Sequence, residues 1–394
     1  MMKKIASQIA LIILIGLTMT IHTDLPYRAD SLCGIAEPYI FSIPHWEAQH
    51  LFDKRWHEIK QDCKDSKAVA EEQIRLVEDY FLLGQQIGEL ESEMDKDSTS
   101  GGAAELERLK MQRAEIEDMV EAIMEGQISQ TLAEEGFSSS ISSEARFIFP
   151  PLDFEFDALP YILIVSPIDR IELIDSFLLK PELTLEEIEI IEDRVERLGV
   201  SALVERLGGV ATYPSIVSES ASLDSTLSTI AHEWMHQYLF FRPLGRRYWA
   251  GYEMTTINET VANMAGKEIG SIVYRLYTRE TEREGPVPTL DFNTEMREIR
   301  IMVDRHLELG QIEEAERLME RRRQFLAGKG YFIRKLNQAY FAFHGTYADT
   351  PASVSPIGEQ LQELRAQSTS LGEFIAAVAQ VSCHDDLKRL LIAH

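Results

Sequence analysis

The chain has 394 residues, 45% of them apolar, with 39 Lys and Arg against 65 Asp and Glu and three cysteines. That composition excludes a collagen, a disulfide-stapled miniprotein and a fully disordered chain, and leaves ample apolar material for a core. A net charge of −26 argues against nucleic acid as a partner, because phosphate binding needs basic surface to displace counterions.

Lys3 and Lys4 precede Ile5 to Ile21, a run without a charge that is mostly Ile, Leu and Ala. Residues 1–22 therefore read as a signal or membrane anchor, and the lack of small residues around Leu17–Thr23 favours an uncleaved anchor. With both lysines held in the cytoplasm, the rest of the chain is expected outside it, membrane-anchored or secreted. Cys33 and Cys63 can pair in such a compartment, leaving Cys383 over. Cys383-His384-Asp385-Asp386 reads as the polar face of a late helix, since adjacent helical residues point in different directions.

Ser42-Ile43-Pro44 opens a helical stretch with Phe52, Trp56 and Ile59 on one face. From about residue 66, Leu76, Tyr80, Leu83, Ile87, Leu90 and Met94 alternate at spacings of four and three, as a coiled-coil seam does. The pattern resumes after Gly102 with Leu106, Leu109, Ile116, Val120 and Ile123, so residues 40–137 are expected to form an antiparallel helical hairpin region. Such an arm either recognises a protein partner or simply packs on the main domain.

Character changes after Ser138–Ser143. Phe147–Phe156 and Tyr161–Pro167 read as short strands, Asp169–Leu179 as another, and Val210–Val217 as one more. Leu183–Leu207 reads as one amphipathic helix, with Thr184 as N-cap, Glu186 and Glu187 in its first turn and Gly208-Gly209 as its end. From about Ser222 the chain is expected to be mostly helical, with breaks near residues 242–245, 285–288, 328–330 and 351–356. No second copy of Leu309–Ala315 appears at a repeat offset, so a solenoid is rejected.

The helix from Ser222 to about Phe240 contains Ala231-His232-Glu233-Trp234-Met235-His236-Gln237. Histidines four apart lie one turn above each other on the same helix face, so both imidazoles can reach one Zn²⁺. Glu233, beside the first histidine, can reach the open metal position and accept a proton from an attacking water. No third histidine follows within the next six residues, which excludes a metzincin; the chain runs Tyr238-Leu-Phe-Phe-Arg242. Instead Asn258-Glu259-Thr260-Val261-Ala262-Asn263 opens or lies early in a second helix.

This pair of segments resembles the gluzincins, zinc peptidases with His-Glu-x-x-His and a downstream Asn-Glu-x-x-Ala whose glutamate is the third metal ligand. The resemblance implies that His232, His236 and Glu259 hold zinc and that Glu233 is the general base. It further implies that Ala262 lets the two helices approach closely and that Asn263 accepts the free N–H of a ligating histidine. The match is nearest to a bacterial group of predicted aminopeptidases with a His-Glu-x-x-His-Gln helix. Asn337-Gln338-Ala339-Tyr340, Tyr347 and Leu371-Gly-Glu-Phe-Ile375 look like that group's C-terminal pattern. The clear resemblance spans about residues 225–270, with a weaker echo at 331–375. Where large aminopeptidases carry Gly-x-Met-Glu-Asn, this chain has Gly208-Gly209-Val210-Ala211-Thr212, which supplies no carboxylate for a free N-terminus. Tyr340, His344 and Tyr347, spaced four and three, are candidate donors to the oxyanion of a tetrahedral intermediate.

The expected fold is therefore α+β: a mostly helical, zincin-like metallopeptidase domain with a small sheet at 145–394, preceded by the helical hairpin. The expected function is zinc-dependent hydrolysis of a peptide or protein substrate. The competing expectation is a membrane-anchored scaffold whose hairpin is the working part and whose zinc site is structural or inactive, with a closed, four-ligand metal.

Overall fold

The computed structural model describes residues 28–47, 67–96, 102–140, 146–278 and 291–393. The N-terminal apolar run, Cys63 and the face of Phe52, Trp56 and Ile59 lie outside the described residues, as does the expected break at 285–288. Among the described residues, no helix is long and apolar enough to cross a membrane.

After a short helix α1 (Arg28–Ala36), two helices of equal length follow, α2 (Lys67–Lys96) and α3 (Ala103–Leu132). They run antiparallel, since Lys110 pairs with Glu91 while Tyr80 donates to Glu117. The expected seam is half of what packs. Tyr80 and Ile87 are buried, but so is Val77, and Phe81 packs beside it, because the base of this hairpin also leans on the rest of the molecule. Tyr80 stacks on Phe156 at 5.0 Å between ring centroids, and Val120, Met124, Ile128 and Leu132 enter the same core as Trp234 and Met235.

The strands form three small sheets. β1 (Ser138–Ser140) pairs with β2 (Arg146–Ile148); β3 (Phe154–Asp157), β4 (Tyr161–Pro167) and β5 (Asp175–Leu179) follow. After helix α4 (Leu185–Glu196) come β6 (Val200–Arg206), β7 (Gly209–Val210) and β8 (Ser215–Ser218). β4 is central to an antiparallel β5-β4-β6 sheet, and β8 is central to a β3-β8-β7 sheet, parallel to β3 and antiparallel to β7. The backbone N–H groups of Phe154 and Phe156 are bonded not by a strand but by carboxylates of α3, Glu125 at 3.1 Å and Glu121 at 2.8 Å.

The single helix expected over Leu183–Leu207 is two elements. Thr184 caps α4 as expected, in a reciprocal capping box with Glu187. The helix ends at Glu196, the chain turns through Gly199, whose φ of 80° suits glycine, and it continues as strand β6. Val200 to Val204 are all buried, so they form a strand covered on both faces, whose continuous apolar run mimics a helical pattern. Gly208-Gly209 leads into β7 rather than ending a helix, and Val210–Val217 is split by a turn through the cis Tyr213–Pro214 bond.

Beyond Ser222 the chain is helical, as expected: α5 (Leu223–Phe240), α6 (Pro243–Arg246), α7 (Tyr252–Tyr274), α8 (Phe292–Glu308), α9 (Ile312–Ala327), α10 (Gln338–His344), α11 (Ile357–Gln367), α12 (Leu371–Val378) and α13 (His384–Ala393). The class is thus mostly helical α+β with small sheets. Helices α5 and α7 lie at its centre, with most residues between Met254 and Ile269 fully buried. Cys383-His384-Asp385-Asp386 is the start of α13. Asp386 accepts from the Ser382 N–H at 2.9 Å, and His384 bonds Glu253 and Gln360, so the segment is a helix start braced against its neighbours.

Candidate metal centre

Ser222 caps α5 through its side chain, and Leu227, Ile230, Ala231, Trp234, Met235 and Leu239 bury the helix in the core. That fixes the rotation of α5 and turns His232 and His236 toward α7. The two helices touch through small residues on α7. A Cβ at Gly266 would stand 2.6 Å from the Ser228 carbonyl oxygen, and one at Gly270 would stand 2.4 Å from Ser228 Oγ. The close approach expected of Ala262, which is fully buried, is therefore continued one and two turns later by Gly266 and Gly270.

At this contact the structure brings His232, His236 and Glu259 together. His232 Nε2 and His236 Nε2 are 3.0 Å apart, and Glu259 Oε2 lies 3.7 Å from the first and 3.5 Å from the second. Tetrahedral coordination with bonds of about 2.1 Å separates ligand atoms by about 3.4 Å, so the three donors fit one metal ion with shifts of tenths of an ångström. The buried group can hold a metal ion.

The surroundings orient these donors. His236 Nδ1 lies 2.8 Å from Asn258 Oδ1, which fixes Nδ1 as the protonated nitrogen and turns the Nε2 lone pair inward. That role was expected of Asn263, but Asn263 points away and donates from Nδ2 to both oxygens of Asp349. The signal for Asn258 was present in the sequence, since neighbours on a helix diverge enough to straddle a histidine on the facing helix. Tyr248 was not anticipated: its hydroxyl donates to Glu259 Oε1, leaving Oε2 to the histidines. Nothing in the local spacing of Arg246-Arg247-Tyr248 singles it out, because it reaches the site from the loop between α6 and α7.

Charge balance follows the geometry. Burial raises the Glu259 carboxyl, yet the two histidines outweigh burial and hold it well below the usual range. Burial pulls His236 down, but Glu259 beside it prevails and lifts it to about 9. Glu233 is pushed up by burial, partly offset by His232 and His236. Glu233 is 6% exposed, and β7 passes so close that a Cβ at Gly209 would lie 2.5 Å from its Oε1. Gln237 binds the Thr212 carbonyl at 2.6 Å and Ser215 Oγ at 2.9 Å, tying the same strand pair to α5.

The three oxyanion candidates separate. Tyr340 stacks on His344 at 4.3 Å, and His344 Nε2 lies 3.1 Å from Glu205, so neither belongs to the site. Tyr347 does: its ring centre is 6.1 Å from that of His232. Burial and the Glu259 charge hold both the Tyr347 and Tyr248 hydroxyls well above the ordinary tyrosine range, so both stay protonated donors. No protein-family model, curated protein or solved structure matches the chain.

Proposed function

We propose that the chain is a zinc-dependent peptidase of gluzincin type, with His232, His236 and Glu259 as ligands and Glu233 as general base. The observation that carries this reading is the three-donor group with a buried carboxylate, Glu233, on the same helix turn. Two imidazoles and one carboxylate form a donor set suited to Zn²⁺ and leave a fourth position open, as catalytic sites do and closed structural sites do not. Bound zinc would supply Lewis acidity and a water of lowered pKa.

The chain's own residues do the rest. Glu233, whose affinity for a proton is raised by burial, takes one from the attacking water and returns it to the leaving amine. Tyr347, a protonated donor on the histidine side of the site, bonds the oxyanion that develops on the scissile carbonyl. Tyr248 holds the second oxygen of Glu259 and keeps that ligand in one orientation. Residues 1–22 anchor this catalytic part to a membrane from outside the cytoplasm or direct its secretion, and the α2–α3 arm is available to a protein partner.

Elemental analysis of the full chain tests the metal, with about one zinc per chain expected and its loss in Glu259→Ala. Glu233→Gln should keep the zinc while lowering hydrolysis of a mixed peptide library by about 10²–10⁴-fold. Unchanged turnover in Glu233→Gln would remove the mechanism.

A further inference from the structure

Helix α7 carries more than a ligand. Glu259, Asn263 and Lys267 follow each other at four-residue intervals and so line one side of the helix over two turns. Glu259 faces the histidines, while Asn263 Nδ2 bonds both Asp349 oxygens at 2.8 Å and Lys267 Nζ reaches Asp349 Oδ2 at 2.8 Å. The Asp349 side chain is 6% exposed. Between the two attachments, fully buried Thr260 accepts the Ala348 N–H at 2.8 Å while its own proton goes to the Thr256 carbonyl at 2.6 Å. Residues 348 and 349 are thus held by the helix that supplies Glu259, and they directly follow Tyr347. The turn is also backed from behind, since a Cβ at Gly358 would meet the Ala348 carbonyl at 2.1 Å.

We propose that Asp349 is a positioning residue. Held by Asn263 and Lys267, it locks the turn so that the Tyr347 ring stands against His232 at the donor group. One helix therefore bears on both the carboxylate ligand and the oxyanion donor, together with the end of α10, to which Thr346 and Thr350 of the turn are bonded. The inference rests on the peptidase reading for what Tyr347 does, but not for where Tyr347 is held.

Four zinc-loaded full-length variants test it: Tyr347→Phe, Asp349→Ala, Asp349→Asn and the double variant Tyr347→Phe/Asp349→Ala. Each is measured for zinc content, for affinity for acetohydroxamate, and for peptide turnover. Hydrogen exchange at residues 345–350 is followed on metal-free protein. Asp349→Ala should retain one zinc, speed exchange in the turn, and weaken hydroxamate binding and kcat by the same factor as Tyr347→Phe, about 10- to 100-fold in kcat. The double variant should lose no more than either single one, because both remove one interaction. Asp349→Asn, which still accepts from Asn263, should recover to within about threefold, a rescue that general damage to the fold would not show. Wild-type hydroxamate affinity in Asp349→Ala, or a double variant whose loss is the product of the two, overturns the proposal. So does a wild-type chain without zinc. If wild-type protein binds zinc and hydroxamate with this pattern yet cleaves no peptide, the peptidase reading falls and the positioning of Tyr347 stands.

Discussion

Two of the antiparallel helix pairs among the described residues are built by opposite means. In α2–α3 the contact runs through Tyr80, Ile87, Leu109 and Val120, side chains large enough to hold two backbones well apart, and Gly88 and Gly126 are spectators, since a Cβ at either would meet nothing within 4 Å. In α5–α7 the contact runs through the absence of side chains at Gly266 and Gly270, which would collide with Ser228 and His232 if they had a Cβ. The difference follows from what each pair must hold. A seam of large residues tolerates adjustment, whereas three donor atoms grouped closely enough to hold one metal ion require backbones at one fixed separation.

The same substitution therefore has opposite effects in the two pairs. Gly270→Ala places a methyl 2.4 Å from Ser228 Oγ and 2.8 Å from Ser228 Cα, and the second of these is backbone that can move only with the whole of α5. The cost is expected at about 3 kcal/mol or more, the upper range of overpacking, and separating α5 from α7 also draws His232 away from Glu259. Urea denaturation should show the loss of stability and elemental analysis a loss of zinc. A Gly270→Ala chain with unchanged stability would mean that the pair is not held by close backbone approach.

Buried acids show a parallel contrast. Glu259 is paid for by two histidines, but Glu47, 3% exposed, accepts the Tyr213 N–H at 3.3 Å and is pushed up to about 7 by burial, which that bond offsets in part. Between the ordinary value of 4.5 and about 7, the folded chain binds a proton that the unfolded chain has released. Stability from this group is therefore fully present below about pH 4.5, falls as pH rises to 7 and is lost above it. Glu47→Gln should match wild type near pH 4.5 and exceed it by on the order of 2–3 kcal/mol at pH 8. Thermal melts at the two pH values check the sign, and equal stability at pH 8 would show that Glu47 ionises without penalty.

What was legible in the sequence tracks how local each signal is. The four-residue spacing of His232 and His236, the Thr184 N-cap and the alternating seam of α2 and α3 each arise within one or two helical turns, and each is found. The strand β6 was misread because Val200–Val204 is buried on both faces, and an unbroken apolar run does not tell a strand from a helix; Gly199 was the only mark of the boundary. Tyr248 and the separation of Tyr347 from Tyr340 and His344 were not legible at all. Tyr340, His344 and Tyr347 share a local spacing, and the hold of α7 on Ala348 and Asp349 helps bring one of them to the donors.

The smallest expected effect bears on the arm alone. Gly88 and Gly126 lie exposed inside α2 and α3 with open space where a Cβ would be, so alanine there adds helix propensity without a clash. Each substitution should stabilise the folded chain by about 0.5–1 kcal/mol, through the unfolded state, which loses conformational freedom. Gly126 lies in the half of α3 that shares the main core through Met124 and Ile128, whereas Gly88 lies toward the free end of the arm. If the arm unfolds together with the body, both substitutions shift the one denaturation midpoint equally. If Gly126→Ala shifts it and Gly88→Ala does not, the outer arm opens on its own, and only the base of the hairpin belongs to the cooperative unit that holds the metal site.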